Sequence, residues 1–253
     1  MSDDSLVVNE IFYSVQGESS WTGLPCVFVR LTGCPLRCSY CDTAYAFREG
    51  RRMTRAEVRQ RVHALAEPFR RSGLRVCRED GPGVRLPLVE VTGGEPLAQA
   101  GSLLLMRELC DDGFTVLLET SGALDISRVD PRVHRIVDVK CPSSGELDRN
   151  RWENLEWLRP TDELKFVIGT VEDYEWAREQ IRSRDLARRC PVLISWVHPL
   201  TPAQMDPSLK PVPEGHRPLT RRELAERILA DALPVRFQAQ LHKWIWPADQ
   251  RGV

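Results

Sequence analysis

The stretch CVFVRLTGCPLRCSYCDT, residues 26–43, decides how this chain is read. Its first part, 26–32, is a run of β-branched and other apolar residues broken only by Arg30, and reads as a buried strand. Directly after it, Cys34, Cys38 and Cys41 fall within eight residues. A structural zinc site takes four ligands, and no nearby Cys or His completes this set. Cys26 lies eight residues back in the apolar strand and reads as a core thiol. Three closely spaced thiolates suit three irons of a four-iron cluster, leaving the fourth iron open to a chelating cofactor. On spacing alone, zinc is the main competitor.

Outward from this loop the chain alternates between two periodicities. Residues 6–14 (LVVNEIFYS) read as a strand before it. Beyond it, a helix over 54–66 is signalled by Thr54 at the N-cap and Glu57 three residues on. Residues 71–86 are polar with glycines and prolines, and read as a loop or insertion. Then come a strand at 86–92 (LPLVEVT) ending in Gly93-Gly94, a helix at 102–113 closed by Gly113, and strands at 114–119 and 134–140. A short helix follows at 152–158, a strand at 162–168, a helix at 172–185, a strand at 191–197, a helix from Thr220 to 232 and a last strand at 235–240. Repeated strand–helix alternation predicts parallel strands with helical crossovers. The fold is then an open doubly wound sheet or a partial barrel, in one domain spanning 1–253. In either, loops after the carboxyl ends of the strands build the site.

Composition narrows the class of function. With 35 Lys and Arg against 36 Asp and Glu, the formal net charge is −1. A protein gripping nucleic acid through phosphates is usually basic, so the expected partner is a small molecule. No apolar run approaches the ~20 residues of a membrane span, and the acidic start MSDDSLVVNE does not resemble a signal peptide; the expected compartment is the cytoplasm. The eight cysteines include Cys77, Cys110, Cys141 and Cys190 as scattered single thiols, which is not the even framework of a disulfide scaffold.

The spacing CxxxCxxC after an early barrel-type strand, with Tyr40 before the last cysteine, resembles the radical S-adenosylmethionine superfamily. VTGGEP, 91–96, resembles its methionine-binding segment. EIFYSVQGES, GLPCVFVRLTGC, CDT, LLETSG, DVKCPSS, DELKFVI and VRFQAQLHKWIW further resemble the 7-carboxy-7-deazaguanine synthases, over about residues 8–247. The resemblance implies an α/β fold, a partial (β6/α3-type) TIM-like barrel with parallel strands and a closing segment at 235–247. It implies a carbon–nitrogen lyase of queuosine and deazapurine biosynthesis, contracting 6-carboxy-5,6,7,8-tetrahydropterin to 7-carboxy-7-deazaguanine with loss of ammonia. Its cofactors would be a [4Fe–4S] cluster on Cys34, Cys38 and Cys41, S-adenosylmethionine cleaved reductively at the open iron, and Mg2+ on Thr43. Its partners would be the pterin, an electron donor of flavodoxin type or similar, and a second copy in a homodimer; neither nucleic acid nor membrane is implied.

For the cofactor the family pattern marks Tyr40, Cys41, Asp42, Gly94, Asp138, Val139 and Lys140. Asp138 and Val139 depart from the Ser-Pro of many members. For the substrate it marks Val15, Gln16, Gly17, Arg30 and Thr92. To these the residue chemistry adds Glu18 and Glu119, and His242 with Lys243 as a cover. An arginine at Arg30 can pair a carboxylate bidentately, and Gln16 and Glu18 offer amide and carboxylate partners to a pterin. Thr43, two residues past Cys41, offers a hydroxyl to a metal that takes few protein ligands, or else to its own turn. ISWVH, 194–198, ends a later strand beside the same site. Two rivals stay open: a glycyl-radical activase, which shares the cysteine spacing but would often carry a second cysteine cluster, and a zinc-bound interaction module.

Overall fold

The computed structural model describes the backbone of residues 4–72, 75–78 and 81–253, and the side chains of these outside 70–83. A nine-stranded sheet runs through it. In chain order its first members are β1 (Ser5–Val15), β2 (Pro25–Leu31) and β3 (Arg51–Thr54), followed by helix α1 (Arg55–Ser72). A separate hairpin, β4 (Arg75–Arg78) and β5 (Gly81–Arg85), precedes β6 (Leu88–Gly93). Then come α2 (Gly101–Asp111), β7 (Val116–Thr120), β8 (His134–Val139), β9 (Glu163–Ile168), α3 (Val171–Ser183), β10 (Val192–Trp196), α4 (Arg221–Ala230), β11 (Arg236–Gln238) and α5 (His242–Ile245).

The strand order is β11-β10-β9-β8-β7-β6-β2-β1-β3. Every neighbouring pair from β2 across to β11 is parallel, whereas β1 runs antiparallel to both β2 and β3. The sheet does not close on itself, as expected of a partial barrel. Among the described residues no helix is long and apolar enough to cross a membrane.

Alternation along the strands gives the sheet two unlike faces. Val27, Val29, Val89, Val91, Leu118, Val137, Phe166 and Ile194 face the helices and form the main core with Val58, Val62, Leu105, Leu109, Tyr174 and Leu224. The other face is apolar only where the parallel strands begin. There Cys26, Phe28, Leu88, Leu117 and Ile136 pack with Trp21, Val84 and Leu86. Two residues further along, the same face turns polar at Arg30, Glu90, Glu119 and Asp138, and Lys165 of β9 joins them. The sheet is therefore plugged at one end and open for chemistry at the other.

Helix starts follow the capping signals. Thr54 Oγ1 accepts from Glu57 N at 3.2 Å, while Glu57 Oε2 accepts from Thr54 N at 2.7 Å. The same reciprocal box opens α3 at Thr170 with Asp173 and α4 at Thr220 with Glu223. Gly113, at φ +81°, follows α2 in the left-handed region. Three expectations need correction. The loop over 71–86 is, where described, the end of α1 and the β4–β5 hairpin. The strand over 235–240 shrinks to Arg236–Gln238, because the chain then turns up into α5. The short helix at 152–158 is a 3-10 turn, Trp152–Trp157.

Candidate active site

The carboxyl ends of the parallel strands surround one deep pocket. The β2 strand delivers the cysteine loop to its rim: Cys34, Cys38 and Cys41 all line it. Burial raises all three thiols, Cys41 to about 12, so iron must displace protons to bind there. Among the described residues no three His, Cys, Asp or Glu side chains converge as ligands of a single ion would; a cluster instead takes each thiolate on its own iron.

Beside the thiols lies a glycine ledge. Gly93 sits at φ +136°, and a Cβ on Gly94 would stand 2.1 Å from Gly33 O and 3.0 Å from Cys34 Cβ. Only glycine allows the backbone that approach. The ledge is fixed by Gly94 N donating to Leu31 O and Glu95 N to Gly33 O. Across from it, Tyr40 Oη and Asp138 Oδ1 are buried with no hydrogen-bond partner among the described residues. Three thiols, a bare ledge of backbone and orphaned polar atoms fit a cluster with a chelating, hydrogen-bonding cofactor.

The rest of the pocket is a charged wall. Lys165 of β9, 5% exposed, bonds Glu119 of β7, reaches Glu18 Oε2 at 3.1 Å and stands 3.9 Å from Asp138. Lys140 bonds Asp138 Oδ2 at 2.7 Å. Burial pushes both lysines down, but the surrounding carboxylates outweigh it and keep them charged. Burial likewise pushes Glu18 up, and Lys165 overrides it, holding that carboxyl below its usual range. Glu18 also accepts from Gln238 Nε2 at 3.0 Å and Gln240 Nε2 at 2.7 Å.

Arg30 is already occupied in part. Its Nε bonds Glu10 Oε1 at 2.8 Å, between the rings of Phe12 and Tyr45, which leaves the terminal nitrogens for a ligand. The C-terminal segment closes the mouth. Leu241 N donates to Gly17 O at 2.8 Å, and Lys243 Nζ bonds Asp42 Oδ2 at 2.6 Å. Burial holds the His242 imidazole below its ordinary value, hence neutral. Thr43 Oγ1 is 3.4 Å from Asp42 Oδ1 and 3.9 Å from Cys41 Sγ.

The Radical SAM superfamily pattern matches residues 28–140. Over 251 residues the chain is 43% identical to the 7-carboxy-7-deazaguanine synthase of Chlorobaculum tepidum, covering 98% of this chain and 97% of that protein. The chain belongs to the 7-carboxy-7-deazaguanine synthase family. The enzyme of that name from Koribacter versatilis is 42% identical, over 97% of this chain and 99% of its own. The fold agrees with the crystal structure of QueE from Escherichia coli, at a TM-score of 0.63 and 22% identity, over 94% of this chain and 95% of that one.

Within this family fold, the pocket gathers Val15, Gln16, Gly17, Glu18, Arg30, Tyr40, Asp42, Thr43, Thr92, Gly94, Glu119, Asp138, Lys140, His242 and Lys243. Val139 is the exception: its side chain lies in the core, and it does not line the pocket as Asp138 and Lys140 do. Ser195, Trp196, Val197 and His198 of the 194–198 segment reach the pocket, while Ile194 joins the core. Of the scattered thiols, Cys141 and Cys190 are buried and Cys110 is partly so; the side chain of Cys77 lies outside the described residues.

Sequence reasoning missed Glu90, Lys165, Gln238 and Gln240. The signal for Glu90 and Lys165 was there: a charged residue flanked by Leu, Val, Phe and Ile in a parallel strand has no reason to be buried unless a site needs it. It also missed Asp173, fully buried. Asp173 accepts from Ser143 N and Oγ, Gly169 N and Thr170 N, tying the turn after β8 to the start of α3.

Proposed function

We propose that this chain contracts 6-carboxy-5,6,7,8-tetrahydropterin to 7-carboxy-7-deazaguanine with loss of ammonia. Cys34, Cys38 and Cys41 hold the [4Fe–4S] cluster in this reading. Bound there, the cluster and S-adenosylmethionine supply the one-electron chemistry that starts the reaction. The chain's own residues bind, orient and exclude water. Tyr40, Asp42, Gly94, Asp138 and Lys140 border the cofactor, with Val139 between the last two in sequence. Arg30 and Thr92 meet the substrate carboxylate. Val15, Gln16, Gly17, Glu18, Glu119 and neutral His242 meet the pterin ring. Thr43 offers a hydroxyl to Mg2+.

The observation that carries this reading is that the cysteine loop and the VQGE turn, which lie at the two ends of β2 in the sequence, open on one pocket. Its charge also suits a small zwitterionic ligand: the wall alternates Glu, Lys and Asp, and each is paired.

The test is anaerobic reconstitution with iron and sulfide, then incubation with S-adenosylmethionine, a reductant and the carboxytetrahydropterin. Mass spectrometry should find 7-carboxy-7-deazaguanine. A colourless protein would reject the cluster, and 5′-deoxyadenosine without deazaguanine would reject the substrate. Cys34→Ala, Cys38→Ala and Cys41→Ala should each lose cluster iron and 5′-deoxyadenosine formation. Cys110→Ala should keep both. Full iron in Cys38→Ala would sink the ligand assignment.

A further inference from the structure

Segment 199–218 carries no motif, and the substrate reading gives Pro142-Ser143-Ser144 no task. Both meet at the back of the cysteine loop. Between Cys34 and Cys38, Arg37 N donates to Glu146 Oε1 at 2.7 Å, and Arg37 O accepts from Lys210 N at 2.9 Å. Glu146 and Lys210 are themselves paired, Oε2 to Nζ at 2.9 Å, and Lys210 Nζ also donates to Gly145 O at 2.7 Å. Between Cys38 and Cys41, Ser39 Oγ donates to Ser143 O at 2.7 Å and Ser39 N to Ser144 O at 3.1 Å. Each gap between cluster cysteines is thus pinned to 143–146 by hydrogen bonds from the loop's own backbone. The Glu146 carboxylate is 4% exposed, so its charge acts through protein and not through water. The Lys210 ammonium, about half exposed, is the partner that balances it.

We propose that Glu146 and Lys210 act as a positioning pair for the cluster, shaping the cysteine loop before iron arrives and setting the cluster's reduction potential through their opposed charges. The proposal rests on the [4Fe–4S] reading above. A charge beside a cluster biases the electron it accepts: a carboxylate disfavours reduction, and an ammonium that neutralises it restores it. A purely structural clamp would act in one direction whichever partner was removed. A charge pair acts in opposite directions.

Two arms test this. In reconstituted protein, redox titration followed by electron paramagnetic resonance compares the parent with Lys210→Met and Glu146→Gln. Glu146→Gln keeps an oxygen for Arg37 N and removes the charge. At a fixed applied potential, Lys210→Met should lower the reduced-to-oxidised ratio several-fold and Glu146→Gln should raise it, while Lys210→Arg stays at the parent value. In cluster-free protein, hydrogen exchange at the Arg37 amide should accelerate at least tenfold in Glu146→Ala. Lys210 is half-exposed, so its variants fold. A shift of the same sign in both charge variants, or none, overturns the electrostatic role. Unchanged Arg37 exchange in Glu146→Ala overturns the preforming role. Failure of the underlying reading would look different: the parent itself would take up no cluster.

Discussion

Two residues in the pocket make separable predictions. Thr43 Oγ1 stands against Asp42 and Cys41 Sγ, so its hydroxyl serves the turn when nothing else claims it. If it instead ligates Mg2+ together with the substrate carboxylate, Thr43→Val should spare cluster iron while weakening the magnesium response of deazaguanine formation. Thr43→Ser should retain more activity, because it keeps the oxygen. An unchanged magnesium response in Thr43→Val assigns the hydroxyl to the turn. Glu90 is the second. Burial, then the neighbouring Glu119, pushes its carboxyl well above the usual 4.5, and Gln16 is its hydrogen-bond partner. The folded protein therefore holds a proton that the unfolded chain gives up above 4.5. That contribution to stability is complete below 4.5 and is lost as pH rises through the folded value. Glu90→Gln is neutral at every pH, so denaturant midpoints across the range above 4.5 should fall less steeply with pH than in the parent. Identical slopes would mean that Glu90 is ionised in the fold. Glu90 and Lys165 carried a signal in the sequence, a charge inside an apolar run, but not the face it points to. Each interrupts an apolar run by one position, and only the sheet's alternation tells whether that position faces helices or pocket.

At the scale of elements, α3 shows how local signals reach the site. Thr170 caps it reciprocally with Asp173, and Asp173 at the same time holds Ser143 in the turn that supports the cysteine loop. Thr170→Ala should cost about 1–2 kcal/mol through the lost cap. The urea midpoint should drop at unchanged slope; a changed slope would mean that the variant alters the unfolded or native ensemble instead. Helix starts were read well from the sequence because capping boxes are local: Thr54 with Glu57 and Thr220 stand where they were expected. Parallel strands were read well because burial on both faces where they begin leaves dense Val, Leu and Ile runs. What escaped was set by distant contacts. The chain departs from strand geometry after Gln238 because Gly17 and Asp42, more than 190 residues earlier, capture Leu241 and Lys243. The antiparallel sense of β1 also escaped, since strand periodicity carries no direction.

Over the whole molecule, the two ends of the chain meet across the pocket mouth. A Cβ on Gly17 would stand 2.2 Å from His242 Nδ1 and 3.2 Å from its backbone nitrogen. Gly17→Ala must therefore push the C-terminal segment outward. Displacement on the order of 1 Å at a site can cost about a hundredfold in rate. The variant should keep full cluster iron and raise the KM for the pterin; an unchanged KM would show that His242 does not close over the substrate. At the opposite end, where the parallel strands begin, the β4–β5 hairpin leads into β6 and adds Val84 to the plug of Trp21, Phe28, Leu88 and Ile136. Between that hairpin and the chemistry lies a full layer of packed side chains. Lengthening the chain there adds only the slowly growing entropy of a longer connection. This is accordingly the place where a peptide tag or a fluorescent protein could be spliced in, giving an internally labelled enzyme whose mouth and cysteine loop stay untouched.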